Sequence, residues 1–113
     1  MILRTVYRVS VVVPVEQVQI VLDGVRAAAV LRSGNYADWA FIGAIGEEQF
    51  RPLPGAQPAQ GAIGELTQVP SRRIEFCIER DAALLSALVD AIRAHHPWQE
   101  PAIFVDETRA PQL

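Results

Sequence analysis

The period of the hydrophobic pattern changes twice in the same way, and this repeated change limits the possible folds more than any other feature. Residues 3–13 alternate between apolar and polar, which predicts a half-buried strand. After Pro14, apolar residues recur at steps of three and four over 15–29, as in an amphipathic helix. The alternating segment 74–79 likewise gives way to an apolar stripe over 84–92. Two strand–helix units are therefore predicted.

Residues that cap or break regular structure mark the ends of these elements. We expect the first helix to end within 31–33, because Gly34 and Asn35 readily adopt a left-handed exit conformation. Asp81 is a favourable N-cap for the second helix. Pro97 stops that helix, because the residue before a proline avoids helical geometry. The predicted apolar face of the first strand consists of Leu3, Tyr7, Val9, Val11 and Val13.

The remaining segments complete a four-stranded arrangement. A second strand is predicted over 37–45 and a short final strand over 102–105, followed by a frayed tail at 107–113. The segment 46–70 has no periodicity and is rich in glycine and proline, so it is predicted to be a long loop. Loops of this length in compact domains are often functional.

The element order predicts one α+β domain over 1–113 with a ferredoxin-like βαββαβ fold. Right-handed crossovers place both helices on one face of a four-stranded antiparallel sheet. Two extended pieces, 49–53 and 65–69, would pair as a hairpin extension between strands two and three.

The second predicted strand offers apolar residues to both sides of the sheet. Trp39, Phe41 and Ile45 alternate onto one side, and the residues between them are not polar either. A sheet that is apolar on its second face is usually covered by a partner, so we expect self-association. The alternative is that small alanines line a partly exposed surface.

Composition argues against several classes of partner and compartment. The net charge is −3, the arginines are scattered and lysine is absent, so no nucleic-acid partner is expected. The single cysteine, Cys77, cannot form an internal disulfide. Arg4 and Arg8 interrupt the apolar amino terminus, and no run approaches the ~18 residues that span a bilayer. We expect a cytoplasmic protein with no membrane partner.

Three stretches resemble one known family. They are Ser-Gly-Asn-Tyr at 33–36, Phe-Arg-Pro-Leu-Pro-Gly and its later glycines over 50–64, and His-His-Pro-Trp-Gln-Glu-Pro-Ala at 95–102. In this order they resemble the PII-like domain inserted in YqfO-type proteins of the dinuclear-metal-centre hexameric family, here as a stand-alone domain. The His-Pro-aromatic turn is also similar to that of CutA proteins. The resemblance implies a PII/CutA-like fold and a trimer, with no particular ligand.

Two positions depart from the family pattern. Trp98 stands where the family usually has tyrosine, and Gln99 replaces a common glutamate and so removes a possible carboxylate ligand. The chain is also expected to lack the surrounding domain that carries the two-metal site in full-length YqfO-type proteins. The resemblance therefore implies no hydrolase-like activity.

The loop is the main candidate for a ligand site. Phe50, Arg51 and the glycines Gly55, Gly61 and Gly64 would form a backbone-lined pocket. Arg51 would offer a fork to a phosphate or carboxylate. In PII proteins, as the resemblance implies, the ligand-responsive loop occupies this same connection. Alternatively, the glycines and prolines only permit the turns of an extended hairpin.

Tyr36 and Trp98 join this candidate site as aromatic residues with a polar group. Trp98 sits in a turn bounded by prolines, and Tyr36 closes the Gly-Asn-Tyr motif. Each residue has two open roles, because such side chains are common both at interfaces and in ligand pockets.

The histidines provide an alternative site for a divalent metal. His96 and Glu100, with Asp106, would supply its ligands, although adjacent His95 and His96 point about 100° apart on a helix and chelate poorly together. The structural alternative is that one histidine contacts the last carbonyls of the helix while the other shapes the proline turn.

No catalytic pattern accompanies these candidates. Cys77 has no neighbouring base in the sequence, and no Gly-x-Ser-x-Gly motif is present. The sequence therefore favours a trimeric, non-enzymatic ligand-binding or regulatory module. The alternative is a divalent-metal-binding protein of the CutA type, and an enzyme comes third.

Overall fold

The computed structural model describes residues 1–112. Its elements, in chain order, are β1 (Leu3–Pro14), a 3-10 turn (Val15–Gln17), α1 (Val18–Ala28), β2 (Arg32–Ser33), β3 (Tyr36–Ala37), β4 (Phe41–Ile42), β5 (Gly46–Phe50), β6 (Thr67–Glu79), α2 (Ala82–His95) and β7 (Ile103–Pro111). The molecule is elongated, 51 × 27 × 22 Å, because β1 and β6 are long.

The two long strands β1 and β6 form the centre of the main sheet. β7 lies beside β1, while β4 and β5 follow one another along the outer side of β6. Every pairing is antiparallel. This order, with the last strand beside the first and the first beside the third, confirms the predicted ferredoxin-like α+β fold. β2 and β3 form a separate two-stranded hairpin.

Both helices bury their apolar stripes against one face of the sheet. Phe76, at 2% exposure, lies at the centre of this core with Ile74 and Val9. α1 contributes four apolar residues and α2 contributes Leu88 and Ile92. Side chains of this size contribute about 1.5–3 kcal/mol each when buried, so this single layer is the main source of stability.

The apolar face of β1 differs from the prediction at its beginning. Val9, Val11 and Val13 are buried as expected, but Leu3 is 44% exposed. Val6, which alternates onto the opposite face of the sheet, is buried at 1%.

The first helix ends earlier than predicted. α1 stops at Ala28, and Ala29 is already extended with φ −161° and ψ 150°. Gly34 does adopt a positive φ of 59°, but it does so in the turn of the β2–β3 hairpin rather than at the helix end. Glycine suits the first central position of such a two-residue turn, so the hairpin explains this residue.

The predicted second strand over 37–45 is wrong as a continuous element. Only Phe41–Ile42 pairs with β6, and the strand resumes as β5. The register moves by one residue between the pair Ile42–Ile74 and the pair Gly46–Ser71, so the edge strand carries one extra residue there. An extra residue of this kind bends the strand and increases its twist.

The predicted loop over 46–70 is partly regular structure. β5 pairs with the first part of β6, from Gly46 opposite Ser71 to Phe50 opposite Thr67. The predicted hairpin extension is therefore present, although it begins three residues earlier than expected. The irregular connection is confined to 51–66.

The N-cap predicted for the second helix is confirmed. The Asp81 carboxylate accepts hydrogen bonds from the backbone N–H groups of Ala83 and Leu84 at 3.0 and 3.1 Å. These groups have no partner inside the helix. α2 then ends at His95, two residues before Pro97.

Replacing Asp81 with alanine should lower the free energy of unfolding by about 1 kcal/mol, because both N–H groups lose their acceptor. Urea denaturation would measure the change. Asp81→Asn is the matched control, since its side-chain oxygen still caps the helix and should preserve most of the stability. Equal losses in the two variants would contradict a capping role.

The carboxyl-terminal segment is more ordered than predicted. β7 runs to Pro111, which lies opposite Leu3, so the predicted strand 102–105 continues through most of the predicted frayed tail. Leu113 lies outside the described residues. Among residues 1–112, no helix is long and apolar enough to cross a membrane.

The face of the sheet opposite the helices combines an ion-paired centre with two exposed aromatic residues. Arg8 contacts Asp106 through two nitrogen–oxygen pairs at 3.2 and 2.8 Å and contacts Glu75 at 3.2 Å. The hydrogen bond from Arg8 lowers the pKa of Asp106. Phe41 and Phe104, 58% and 66% exposed, lie at the two ends of the neighbouring row. This open face is thus less apolar than the sequence suggested.

Candidate ligand-binding cleft

The irregular loop 51–66 is shaped by two tight turns. The N–H of Ala56 donates to the carbonyl of Leu53, with Pro54 and Gly55 between them. Gly55 has φ +100°, as the third residue of a type II turn requires. A second such turn spans 62–65, in which Gly64 has φ +82°. The glycines predicted as pocket residues thus first serve the backbone conformation.

The base of the loop is closed by Gly64. Its N–H donates to the carbonyl of Pro52 at 2.7 Å. Its own carbonyl accepts a hydrogen bond from an Arg51 guanidinium nitrogen at 3.0 Å. Pro52 is buried beneath this closure. Arg51 is therefore held against the loop while its remaining nitrogens are available to solvent or a ligand.

His96 fixes the turn that follows α2. Its Nε2–H donates to the carbonyl of Val12 at 2.7 Å, and its Nδ1 accepts from the backbone N–H of Trp98 at 3.0 Å. Val12 lies just beyond the last β1–β7 pair, so the imidazole takes the place of a missing strand partner. His96 is 7% exposed. Burial lowers its pKa below the ordinary value, so the ring is neutral at pH 7.

These contacts match the structural role considered for the histidines. His95 Nδ1 contacts the carbonyl of Ala91 at 2.7 Å near the helix end, while His96 shapes the turn. A metal bound by His96 would displace one of its two hydrogen bonds. Within residues 1–112, no group of three or more histidine, cysteine, aspartate or glutamate side chains is arranged to hold a metal ion.

Trp98 joins the turn to the hairpin. Its indole Nε1–H donates to Glu48 Oε1 at 2.9 Å. Its ring meets the Phe50 ring edge to face, with centroids 5.4 Å apart and planes inclined by 62°. Such a pair contributes about 0.5–1.5 kcal/mol beyond the burial of its area. Gln99 adds a contact to the loop, because its side-chain oxygen accepts from the N–H of Gln57 at 3.0 Å.

The loop and the turn enclose a cleft of about 710 Å³, within the size range of small-molecule sites. Its lining residues are Glu48, Phe50, Arg51, Pro52, Leu53, Pro54, Gly55, Ala56, Pro58, Ala59, Gln60, Trp98, Gln99 and Glu100. Prolines and short apolar residues form half of the lining, and two aromatic rings add to its apolar surface. Three charged side chains interrupt it.

The structure brings together most of the predicted ligand-binding residues. Phe50, Arg51, Gly55 and Trp98 all line the cleft. Gly64 does not line it but closes the loop beneath Arg51. Tyr36 lies instead in the β2–β3 hairpin, outside the lining, and is 81% exposed.

The two residues proposed as metal ligands, His96 and Glu100, lie in different environments. Glu100 is exposed and lines the cleft, whereas His96 lies behind the turn and is not part of the lining. Asp106 is on the open face of the sheet, where it pairs with Arg8. Cys77 is on that face too, and desolvation raises the pKa of its thiol.

Glu48 is the main site residue that sequence reasoning missed. It lies on β5, which was predicted as loop, and it alternates with Phe50 onto the side facing Trp98. Its Oε1 also lies 3.4 Å from the hydroxyl of the buried Ser71, which has a closer acceptor in the Val69 carbonyl at 3.2 Å. The alternation of Glu48 and Phe50 before the Arg-Pro motif was the available signal.

Comparison with solved structures identifies the fold of this domain. CutA1 from Oryza sativa superimposes with a TM-score of 0.63 at 14% identity, covering 96% of this chain and 84% of the rice chain. The GlnK–ATP complex of B. subtilis superimposes with a TM-score of 0.57 at 12% identity, covering 92% and 82%. The domain therefore has the PII/CutA-like fold. At these identities the likeness concerns the fold alone.

Sequence-level relatives are longer proteins. The chain is 34% identical over 90 residues to a protein of Mycobacterium leprae named GTP cyclohydrolase 1 type 2 homolog, covering 80% of this chain and 23% of that protein. A Bacillus cereus protein related to NIF3 superimposes with a TM-score of 0.74 at 28% identity, covering 96% and 27%. This chain thus spans about a quarter of the length of the curated relatives it matches. No family model matches it.

Proposed function

We propose that this chain is a self-associating, non-enzymatic module that binds a small ligand in the cleft between the loop and the turn. The proposal rests on one observation: a single chain forms both walls of the cleft. The Trp98–Glu48 and Gln57–Gln99 hydrogen bonds join the turn to the hairpin and the loop. The lining combines apolar walls with a few fixed polar groups, which is the usual composition of a ligand pocket.

A binding role accounts for the lining better than catalysis does. Histidine, cysteine, serine and lysine do not occur among its residues. Its charged groups are Glu48, Arg51 and Glu100, which suit recognition of a ligand's ends. The name of the M. leprae relative refers to a longer protein, of which the matched region covers 23%, and no activity of that protein is assigned to this domain.

The proposed assembly is a trimer. Phe41 and Phe104 present exposed rings on the open face, and a second copy would remove them from water. The resemblance to PII and CutA proteins implies the threefold arrangement. It also implies that the chain is the counterpart of the inserted domain of YqfO-type proteins.

Light scattering during gel filtration at micromolar concentration should give three times the monomer mass of 12.4 kDa. Phe104→Glu should yield the monomer, because a carboxylate would be buried against a second copy. Ile20→Glu is the control: Ile20 is 51% exposed on α1, and this variant should remain trimeric. A monomeric wild-type protein would overturn the assembly.

Trp98 offers a direct readout of ligand binding. Trp39, the second tryptophan, is 63% exposed and does not line the cleft, so a Trp39→Phe variant leaves Trp98 as the only indole. Compounds from a library of small metabolites that enter the cleft should change Trp98 emission in a saturable way. If the whole library leaves the emission unchanged, the binding function is refuted.

A further inference from the structure

The cleft contains a carboxylate, that of Glu48, in which only one of the two oxygens accepts a hydrogen bond within residues 1–112. Glu48 Oε1 accepts the Trp98 indole N–H at 2.9 Å. The Ser71 hydroxyl is 3.4 Å from the same oxygen, but its single hydrogen has a closer acceptor in the Val69 carbonyl at 3.2 Å. Glu48 Oε2 has no hydrogen-bond partner among residues 1–112. The indole bond orients the carboxylate and leaves Oε2 as a free acceptor on a residue that lines the cleft.

The surroundings of Glu48 favour a cationic group. Phe50 and Trp98, inclined by 62°, present aromatic surface next to the carboxylate. Ammonium groups are attracted both to aromatic faces and to a carboxylate acceptor. A ligand anion would be repelled at this position by the Glu48 carboxylate itself.

Arg51 supplies the opposite charge. One guanidinium nitrogen is bound to the Gly64 carbonyl at 3.0 Å, which limits the orientations of the group. Its other nitrogens form no hydrogen bond within the described chain, and a guanidinium fork suits a carboxylate. The cleft thus carries a fixed negative group and a restrained positive group.

We propose that the cleft binds a linear zwitterion, with its ammonium on Glu48 and its carboxylate on Arg51. Positions 48 and 51 are three residues apart, so their Cα atoms lie at most about 10 Å apart on an extended chain. Two charged groups on separate residues of the lining suit a ligand with several methylenes between its charged ends better than an α-amino acid. Its methylenes would lie on the proline-rich wall. This inference rests on the proposed binding function.

The test uses 6-aminohexanoate and two analogues that each lack one charge, hexanoate and hexylamine. Titrated into the Trp39→Phe protein and followed by Trp98 emission, the zwitterion should bind at least tenfold more tightly than either analogue. Glu48→Gln retains an acceptor for the indole but removes the charge. It should weaken zwitterion binding about tenfold and abolish the preference over hexanoate, as loss of one ion pair predicts.

Two further variants complete the design. Arg51→Gln should abolish the preference over hexylamine. Glu47→Gln is the matched control, because Glu47 is exposed on β5 and does not line the cleft. The affinity of this variant for the zwitterion should equal that of the wild type. Two outcomes would refute zwitterion binding without refuting the proposed binding function. One is equal affinity for the three compounds, and the other is that none of them binds although other library compounds do. Failure of every compound would refute both.

Discussion

Replacing His96 with alanine should lower the free energy of unfolding by about 2–4 kcal/mol, because two partly buried backbone groups lose their partners. The carbonyl of Val12 would lose its donor, and the N–H of Trp98 would lose its acceptor. The loss of a buried ring adds to this cost. Urea or guanidinium denaturation followed by circular dichroism would measure the change.

Two conservative variants separate the contributions of the two bonds. In His96→Asn, the amide oxygen can replace Nδ1 as the acceptor of the Trp98 N–H. In His96→Gln, the amide nitrogen can replace Nε2 as the donor to Val12. Each variant should recover part of the stability. The sum of their two losses in free energy of unfolding should be close to the loss in the alanine variant. An alanine variant as stable as the wild type would contradict the structural role of the imidazole.

The same residue predicts a dependence of stability on pH. Burial lowers the pKa of His96 in the folded protein, so the unfolded chain takes up its proton first as the pH falls from about 6.5. The contribution of His96 should be complete above that value and decline as the pH falls toward the lower, folded-state pKa. Denaturation between pH 7.5 and 5.5 would reveal the slope, which His96→Gln should largely remove.

Replacing Trp98 with alanine should lower the free energy of unfolding by about 2–3 kcal/mol, somewhat less than for a fully buried tryptophan. The variant loses the edge-to-face contact with Phe50 and leaves Glu48 without its strongest donor. It also removes one wall of the cleft, so the zwitterion should no longer bind measurably. Denaturation and calorimetry would follow the two effects.

Trp98→Phe is the matched control for this substitution. It retains an aromatic ring against Phe50 but has no N–H for Glu48. Its stability should lie between those of alanine and tryptophan, and its affinity should fall less than that of the alanine variant. If the alanine variant bound the zwitterion as well as the wild type, the cleft would not be the site.

The long periodic segments could be predicted from sequence because their stability comes from one buried layer. Alternation over β1 and β6 and the apolar stripes of α1 and α2 each reflect contact with the same core. Asp81 and Pro97 act locally, so the bounds of α2 were also predictable. Together these segments determine the ferredoxin-like order.

The edge of the sheet could not be predicted in the same way. Between β4 and β5 the chain is held by long-range contacts to β6: Gly43 donates to the carbonyl of Arg73, and its own carbonyl accepts from the Arg72 side chain. No local sequence pattern predicts such contacts. Glu48 was missed for the same reason, because its role depends on a tryptophan that is 50 residues away in the chain. β7 was underestimated because Asp106 and Glu107 end its apolar run after Val105.

Because one polypeptide provides both walls of the cleft, an isolated subunit already contains the residues that the proposed site requires. A site shared between subunits would be lost on dilution below the dissociation constant of the oligomer, whereas this one should persist in the isolated subunit. Occupancy should then depend on free ligand alone, by simple mass action, whatever the protein concentration.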